Sequence, residues 1–308
     1  MNTECLYPRI AVLLASFNGR QWIADQLASL LAQTGVNIHV FISDDFSTDG
    51  TWEWLCSKVT TQANITLLPQ KHRTGSAGRN FYRLIVDVDT VGFDYVAFSD
   101  QDDIWEVDKL SRHITLLQAH QADGVSSNVK AFWPDGKTEI IMKSQAQREF
   151  DYIFESAGPG CTFLMTPRLI GEVRTLLNHL DSPARDVSLH DWLTYAVARA
   201  LGYKWVIDET PSVQYRQHAN NVIGANVSFK SKWLRLKKMR DGWYRQQVIK
   251  VTRIAYGYSR QEVLRRLLLL LEQPGIGSQL QLLVYVWKGR RSVTDRFYLM
   301  SVIIFNLF

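Results

Sequence analysis

Before residue 100 the chain alternates strand-like and helix-like segments four times, and no other feature limits its fold so tightly. Ile10–Ala15 reads as a short buried strand. It runs into the loop Ser16-Phe17-Asn18-Gly19 and then a helix in which Trp22, Ile23, Leu27, Leu30 and Leu31 recur at helical spacing. His39–Ser43 is a second strand, ending at Asp44-Asp45. Ser47-Thr48-Asp49-Gly50 is loop and capping chemistry, followed by a helix over Trp52–Val59. Asn64–Leu68 is a third strand, Gly75-Ser76-Ala77-Gly78 opens a helix through Val86, and Tyr95–Ser99 is a fourth strand ending at Asp100. This order predicts a parallel sheet wound with helices on both faces. Ligands of such sheets bind beyond the carboxyl ends of the strands. Three of those ends carry Ser16 and Asn18, Asp44 and Asp45, and Asp100, Asp102 and Asp103.

Downstream the pattern is mixed. Gly158-Pro159-Gly160 is a turn before an apolar strand over Cys161–Met165. Val187–Leu201 reads as a helix beginning near His190-Asp191, Lys204–Asp208 as a strand, and Tyr215–Gly224 as a polar loop. Charge then divides the chain. Residues 1–225 hold 19 Lys+Arg against 26 Asp+Glu, and residues 226–308 hold 16 against 4. Two parts are expected, 1–225 and a basic helical extension over 226–308. Between Lys230 and Ile254, apolar Trp233, Leu236, Met239, Trp243, Val248, Val251 and Ile254 alternate with basic residues as in an amphipathic helix. Gln261–Gln273 is a further helix stopped by Pro274-Gly275, and Leu280–Trp287 and Phe297–Phe308 are apolar stretches.

The extension is expected to meet an anionic membrane surface through the Lys230–Ile254 helix. The alternative is packing on the amino-terminal domain or a contact between copies, and an oligomer stays open. Nucleic acid is not expected as a partner, because no recognised binding motif accompanies the charge. No run approaches the ~20 apolar residues of a spanning helix. Cys5, Cys56 and Cys161 are widely spaced and form no CxxC pair, so neither a disulfide framework nor a zinc finger is expected. With no secretory pattern at the amino terminus, the cytoplasm is the expected compartment.

Asp100-Gln101-Asp102-Asp103 places three carboxylates in four residues, an arrangement that repels itself and usually needs a cation. Hard oxygen ligands suit Mg²⁺ or Mn²⁺. The competing reading is a solvated turn that caps the next helix. Asp44-Asp45 is suited to a nucleobase imide or ribose hydroxyl, or equally to an N-cap. Asp191 is placed to act as a general base toward a hydroxyl, or to cap its helix. His218 is a metal or phosphate ligand or a solvated loop residue.

Taken together, VLLASFNG, SDDFSTDGT, FSDQDDIWEVDKL and HDW, in this order and at these spacings, resemble the family 2 glycosyltransferases over about residues 8–225. YRQHANNVIG looks like the bacterial rhamnosyltransferase branch that builds surface polysaccharides. The resemblance implies an α/β GT-A fold, Rossmann-like, with a mostly parallel sheet and a helical extension after it. By the same analogy Ala15, Ser16 and Asn18 line the nucleotide pocket, Asp45 binds the base with Asp44 supporting it, and Arg79 and Asn80 lie near the diphosphate or sugar. Asp100 and Asp102 become a DxD motif with Gln101 between them at the nucleotide sugar. Asp102 is the direct ligand of Mg²⁺ or Mn²⁺, Asp100 and His218 assist it, and Asp191 is the catalytic base.

The implied activity is metal-dependent, inverting transfer of L-rhamnose from a dTDP donor to a saccharide or lipid-linked saccharide, at the inner membrane face. A UDP-hexose donor on the same fold and a non-catalytic nucleotide-sugar-binding scaffold are the rival readings. Joint retention of Asp45, Asp102 and Asp191 argues against the scaffold.

Overall fold

The computed structural model describes residues 7–179, 181–218, 240–273 and 275–308. Its first half follows the expected alternation: β1 (Arg9–Ser16), α1 (Ile23–Leu31), β2 (Asn37–Asp44), α2 (Thr51–Val59), β3 (Ile65–Leu67), α3 (Ala77–Asp87) and β4 (Tyr95–Ser99). After Arg9, every residue of β1 is buried. An apolar run without alternation is what a strand covered on both faces requires. β1 pairs in parallel with β2 on one side and β4 on the other, with Ser16 level with Asp44 and Leu14 level with Ser99. This register brings the three polar strand ends to one edge of the sheet.

β5 (Ile104–Trp105), α4 (Lys109–His120), β6 (Gly124–Ser127), β7 (Val129–Phe132), β8 (Thr138–Ile141), the short helix α5 (Asp151–Phe154), β9 (Leu164–Met165), α6 (Pro167–Asn178), α7 (His190–Ala200), β10 (Trp205–Asp208) and β11 (Val213–Arg216) follow. The main sheet has the order β10-β6-β9-β4-β1-β2-β3, and β5-β11-β7-β8 form a second, smaller sheet. β9 runs antiparallel to both β4 and β6, so the main sheet is not wholly parallel. Two local expectations need correction. Cys161 lies in a 3₁₀ turn, Gly160–Thr162, and only Leu164–Met165 of the expected strand is extended. Tyr215 and Arg216 belong to β11 rather than to a loop, paired with Ala131 and Phe132 of β7.

Four helices end the chain: α8 (Trp243–Ser259), α9 (Glu262–Glu272), α10 (Ile276–Gly289) and α11 (Val293–Ile304). Most of the expected amphipathic helix, including Trp233, Leu236 and Met239, lies outside the described residues. In its described part the apolar face turns to protein. Val248, Val251 and Ile254 are buried in one cluster with Phe81 of α3, Phe154 of α5 and Trp192 and Tyr195 of α7, and Trp243 packs against it. Membrane contact through that face is therefore corrected to core packing, because bringing these side chains out would expose the apolar area that seats α8.

Charge reinforces the seat. Asp151, fully buried, receives Arg199 at 2.8 Å and the Tyr195 hydroxyl at 2.8 Å, both from α7, and Arg291 from the extension at 3.1 Å. Arg291 also donates to the Ser156 carbonyl, and its backbone N–H donates to Glu155. Arg290 donates to the Phe154 carbonyl and pairs with Asp295. Among the described residues no helix is long and apolar enough to cross a membrane.

Candidate active site

The first two strand ends are tied to each other. Asp44 is fully buried and accepts from the Ser47 N–H at 2.9 Å and the Gln70 amide at 2.8 Å, holding its own loop. Asp45 accepts from the N–H groups of Thr74 and Gly75 and so fixes the segment that leads into α3. Asn80, on the first turn of α3, accepts from the Ser43 hydroxyl at 2.6 Å and donates to the carbonyls of Ser43 and Ser16. Asn18 has φ 50°, a left-handed conformation that asparagine tolerates. Its side-chain oxygen accepts the Thr48 N–H at 2.8 Å. Ala15 is core, and the Ser16 hydroxyl donates to Gln101 at 3.1 Å. Arg79 stands exposed one residue before Asn80. These residues form one hydrogen-bonded rim at the carboxyl edge.

Gln101 joins that rim to the acidic turn. Its side-chain oxygen accepts the Phe17 N–H at 2.8 Å, and its amide donates to the Phe17 carbonyl at 2.8 Å. A side chain on Gly19 would overlap this amide, which is why the loop after β1 needs a glycine there.

On either side of Gln101 the carboxylates diverge. Asp102 lies 2.7 Å from the His218 ring nitrogen, and the His218 ring stacks on Trp22 with centroids 4.0 Å apart. Asp103 is buried, accepts the Arg216 N–H at 3.1 Å, and leaves its other oxygen without a partner. Donor atoms of Asp100, Asp103 and Cys161 lie within 4.8 Å of one another. Arg216 also donates to the Asp102 carbonyl at 2.8 Å, so β11 braces the turn from the second sheet.

Burial, with the charges of Asp102 and Asp191 added to it, pushes the Asp100 carboxyl up to about 8. Burial pushes Asp103 well up too, with Asp102 and Asp100 contributing. Carboxylates whose proton affinity is raised by one another favour any positive charge brought among them.

Asp191 opens α7 on the far side of this cluster. Burial pushes its carboxyl up to about 6, and the Trp192 N–H and the Lys143 ammonium oppose the rise. A carboxylate in a helix's first turn is further favoured by the aligned peptide dipoles. His190 is buried between Phe81, stacked at 3.7 Å, and Phe98, and burial drives it down to about 3, so it stays neutral. Gly160 lies against His190 and Asp191, where a methyl group would collide with the imidazole. Asp191 can therefore hold a proton taken from a hydroxyl while a neutral, aromatic wall excludes water behind it.

The structure sets Asp102 against His218, Asp100 beside Asp103 and Cys161 and within electrostatic reach of Asp102 and Asp191, and has Asp44, Asp45, Asn80 and Asn18 holding the loops around them. Sequence reasoning missed Lys143 and Trp22. Lys143 sits in a polar stretch with no motif, and Trp22 reads as one more apolar position of α1.

A sheet with acidic groups at the carboxyl ends of β2 and β4 and a carboxylate in the first turn of a later helix has the layout of a GT-A glycosyltransferase. The Glycosyl transferase family 2 model matches residues 11–164, and the chain belongs to that family. It is 41% identical to the dTDP-rhamnosyl transferase RfbG of Shigella flexneri over 297 residues, 96% of this chain and 100% of that protein. Crystalline S. aureus TarS 1–349 in complex with UDP-GlcNAc superposes with a TM-score of 0.53 at 14% identity, covering 90% of this chain and 79% of that one. The mannosyltransferase PcManGT of Pyrobaculum calidifontis, in complex with GDP-Man and Mn²⁺, gives a TM-score of 0.50 at 15% identity over 97% of this chain and 86% of that one.

Proposed function

We propose that this glycosyltransferase moves L-rhamnose from dTDP-L-rhamnose onto a saccharide or lipid-linked saccharide acceptor in cell-surface polysaccharide synthesis, with inversion at the anomeric carbon. The observation that carries the donor is the 41% identity to a dTDP-rhamnosyl transferase along that protein's whole length. The site supports the chemistry. Asp191 is positioned to take the acceptor hydroxyl's proton as its oxygen attacks the face opposite the leaving diphosphate. Its carboxyl, raised to about 6, is ionised near neutral pH yet basic enough to hold that proton. One displacement with no protein nucleophile inverts the configuration.

The donor set fits Mg²⁺ or Mn²⁺. Asp102 and Asp100 offer carboxylates and His218 an imidazole; Asp100, which burial keeps largely protonated near neutral pH, would release its proton to a bound cation, and its donor atom stands within 4.8 Å of those of Asp103 and Cys161. Cys161 does not fit a hard cation, because sulfur is a soft ligand. A divalent ion held there would neutralise charge growing on the diphosphate. Arg79, exposed on the first turn of α3, adds a cation on the rim beside the same edge. The rim of Ser16, Asn18, Asp44, Asp45, Asn80 and Gln101 holds the pocket walls in place for the nucleotide.

The test is donor hydrolysis and transfer with a panel of dTDP-L-rhamnose, UDP-glucose and UDP-GlcNAc in Mn²⁺. Turnover confined to dTDP-L-rhamnose is expected; preference for a UDP-hexose would replace the donor, and binding without turnover for any donor would favour the scaffold.

A further inference from the structure

The extension carries an apolar surface that its own core does not use. On α10, Ile276, Leu280, Val284 and Trp287 fall at i, i+4, i+8 and i+11 and are 80%, 62%, 59% and 43% exposed. On α11, Phe297, Ile304 and Phe305 just beyond it are 57%, 58% and 73% exposed. The two helices are antiparallel neighbours. Trp287 meets Phe297 edge-on with centroids 6.0 Å apart, and at the other end Gln279 donates to Asn306 at 2.7 Å. The two stripes therefore lie side by side. Scattered exposed apolar residues need no explanation, but a contiguous patch of this kind marks an interaction surface.

The charge around the patch selects the occupant. Lys288 is the one charged residue of α10, and Asp295, the one acid of α11, is paired with Arg290. Arg265 and Arg266 are exposed on the adjoining α9; Arg265 pairs with Glu262 at 2.7 Å and Lys288 with Glu149 at 3.0 Å, and Arg266 has no ion pair among the described residues. Along α8, α9 and the turn between them, Arg253, Arg260, Arg265 and Arg266 are exposed against the exposed acids Glu262 and Glu272, which leaves that flank positive. A second copy would bring a like-charged extension against the first, which opposes association. An anionic bilayer complements both the apolar stripes and the basic surround. At 14 and 12 residues the helices are too short to span a hydrocarbon core of about 30 Å, so the fit is to a surface.

We propose that the paired α10–α11 face docks the enzyme in the interfacial layer of an anionic phospholipid membrane. Gly289, at the end of α10, packs against the Phe154 ring, and Arg291 beyond it holds Asp151 and Ser156. Four residues after Ser156, Gly160 lies against His190 and Asp191. The docking face is thus tied to the segment that floors the site, and a bound enzyme presents its catalytic edge at a fixed height. This extends the lipid-linked acceptor reading without requiring it, since vesicle binding and donor turnover in solution are measured separately.

The experiment is co-sedimentation of the full chain with phosphatidylcholine vesicles with and without phosphatidylglycerol, at low and high salt. Binding to the anionic vesicles is expected. The triple variant Leu280→Glu, Phe297→Glu, Ile304→Glu should partition at least about tenfold more weakly while keeping solution donor hydrolysis. Should the triple variant fold poorly, brominated phosphatidylglycerol serves instead: it should quench tryptophan fluorescence in the unaltered chain, and less in Trp287→Phe. The proposal fails if the unaltered chain stays in the supernatant, if the triple variant binds as well, if Trp287→Phe is quenched equally, or if the face proves to close a concentration-dependent dimer.

Discussion

Arg291→Met tests whether the extension is part of the catalytic unit. The Arg291 guanidinium is 3% exposed and donates to Asp151 at 3.1 Å and to the Ser156 carbonyl, with Glu155 at 3.5 Å. Methionine fills much of the volume but donates nothing, so the loss is electrostatic. Removing one partner of a buried ion pair costs about 3–5 kcal/mol, because the other charge is left in a poorly solvating interior. Asp151 keeps Arg199 and Tyr195, and Glu155 keeps Arg290 at 3.8 Å, so the low end applies. About 3 kcal/mol corresponds to a Tm lower by roughly 6–12 °C for a domain of 150–250 residues, and less for a larger one.

The assay is thermal and urea unfolding of the full chain, repeated with Asp151→Asn and with the double variant. The double variant should be more stable than the sum of the single losses implies, because it removes the stranded carboxylate along with its partner. A coupling of about 0.5–3 kcal/mol is expected. A Tm change under about 2 °C for Arg291→Met, or strict additivity, would refute the claim that this buried network holds the extension in place.

Other outcomes follow from the same geometry. Asp191→Asn should lower kcat by about 10²–10⁴ while donor affinity by calorimetry stays near normal; unchanged turnover would remove Asp191 as the base. Because the base must be ionised, kcat/KM should fall as the medium is acidified, with an apparent pKa at or below about 6. At saturating Mn²⁺, which also draws Asp100 down from its raised value, the upper bound is Asp191's own raised value; a limb above neutrality under those conditions would contradict the assignment. Chelation should abolish turnover and Mn²⁺ should restore it, whereas Asp102→Asn and His218→Ala should each weaken Mn²⁺-assisted donor binding; donor affinity indifferent to chelator would end the cation reading. Residues 1–225 alone should give no cooperative unfolding transition, since α8 supplies Val248, Val251 and Ile254 to the shared core; a sharp transition from that fragment would show two independent domains.

The first strands were legible because each is a mostly apolar run that polar residues end, and β1 to β4 fall where those runs predict. β9 was legible as a strand within Cys161–Met165, but its antiparallel direction was not, because its two paired residues, Leu164 and Met165, carry no period. Nor did composition show how the extension is used. Counting arginines cannot separate an exposed guanidinium, such as Arg266, from one buried against a carboxylate 140 positions away, as Arg291 is against Asp151. Charge pattern alone therefore pointed the α8 face outward, and the pairing that turns it inward is a property of the folded chain.

At the site the same limit acts on polar residues. An aspartate or asparagine at a strand end serves a ligand or a loop equally well, and spacing does not choose. Here Asp44, Asp45, Asn18 and Asn80 already hold backbone N–H and C=O groups of neighbouring loops. The His218–Trp22 stack joins residues from opposite ends of the catalytic sequence and has no local signature. What distinguishes Asp100, Asp102 and Asp191 is that they crowd one another: burial and the neighbouring charges raise Asp100 to about 8, so near neutral pH it holds a proton that a cation brought among them would displace. A rigid rim and a strained acidic centre thus have opposite roles, one keeping the geometry fixed and the other holding affinity in reserve for the ligand.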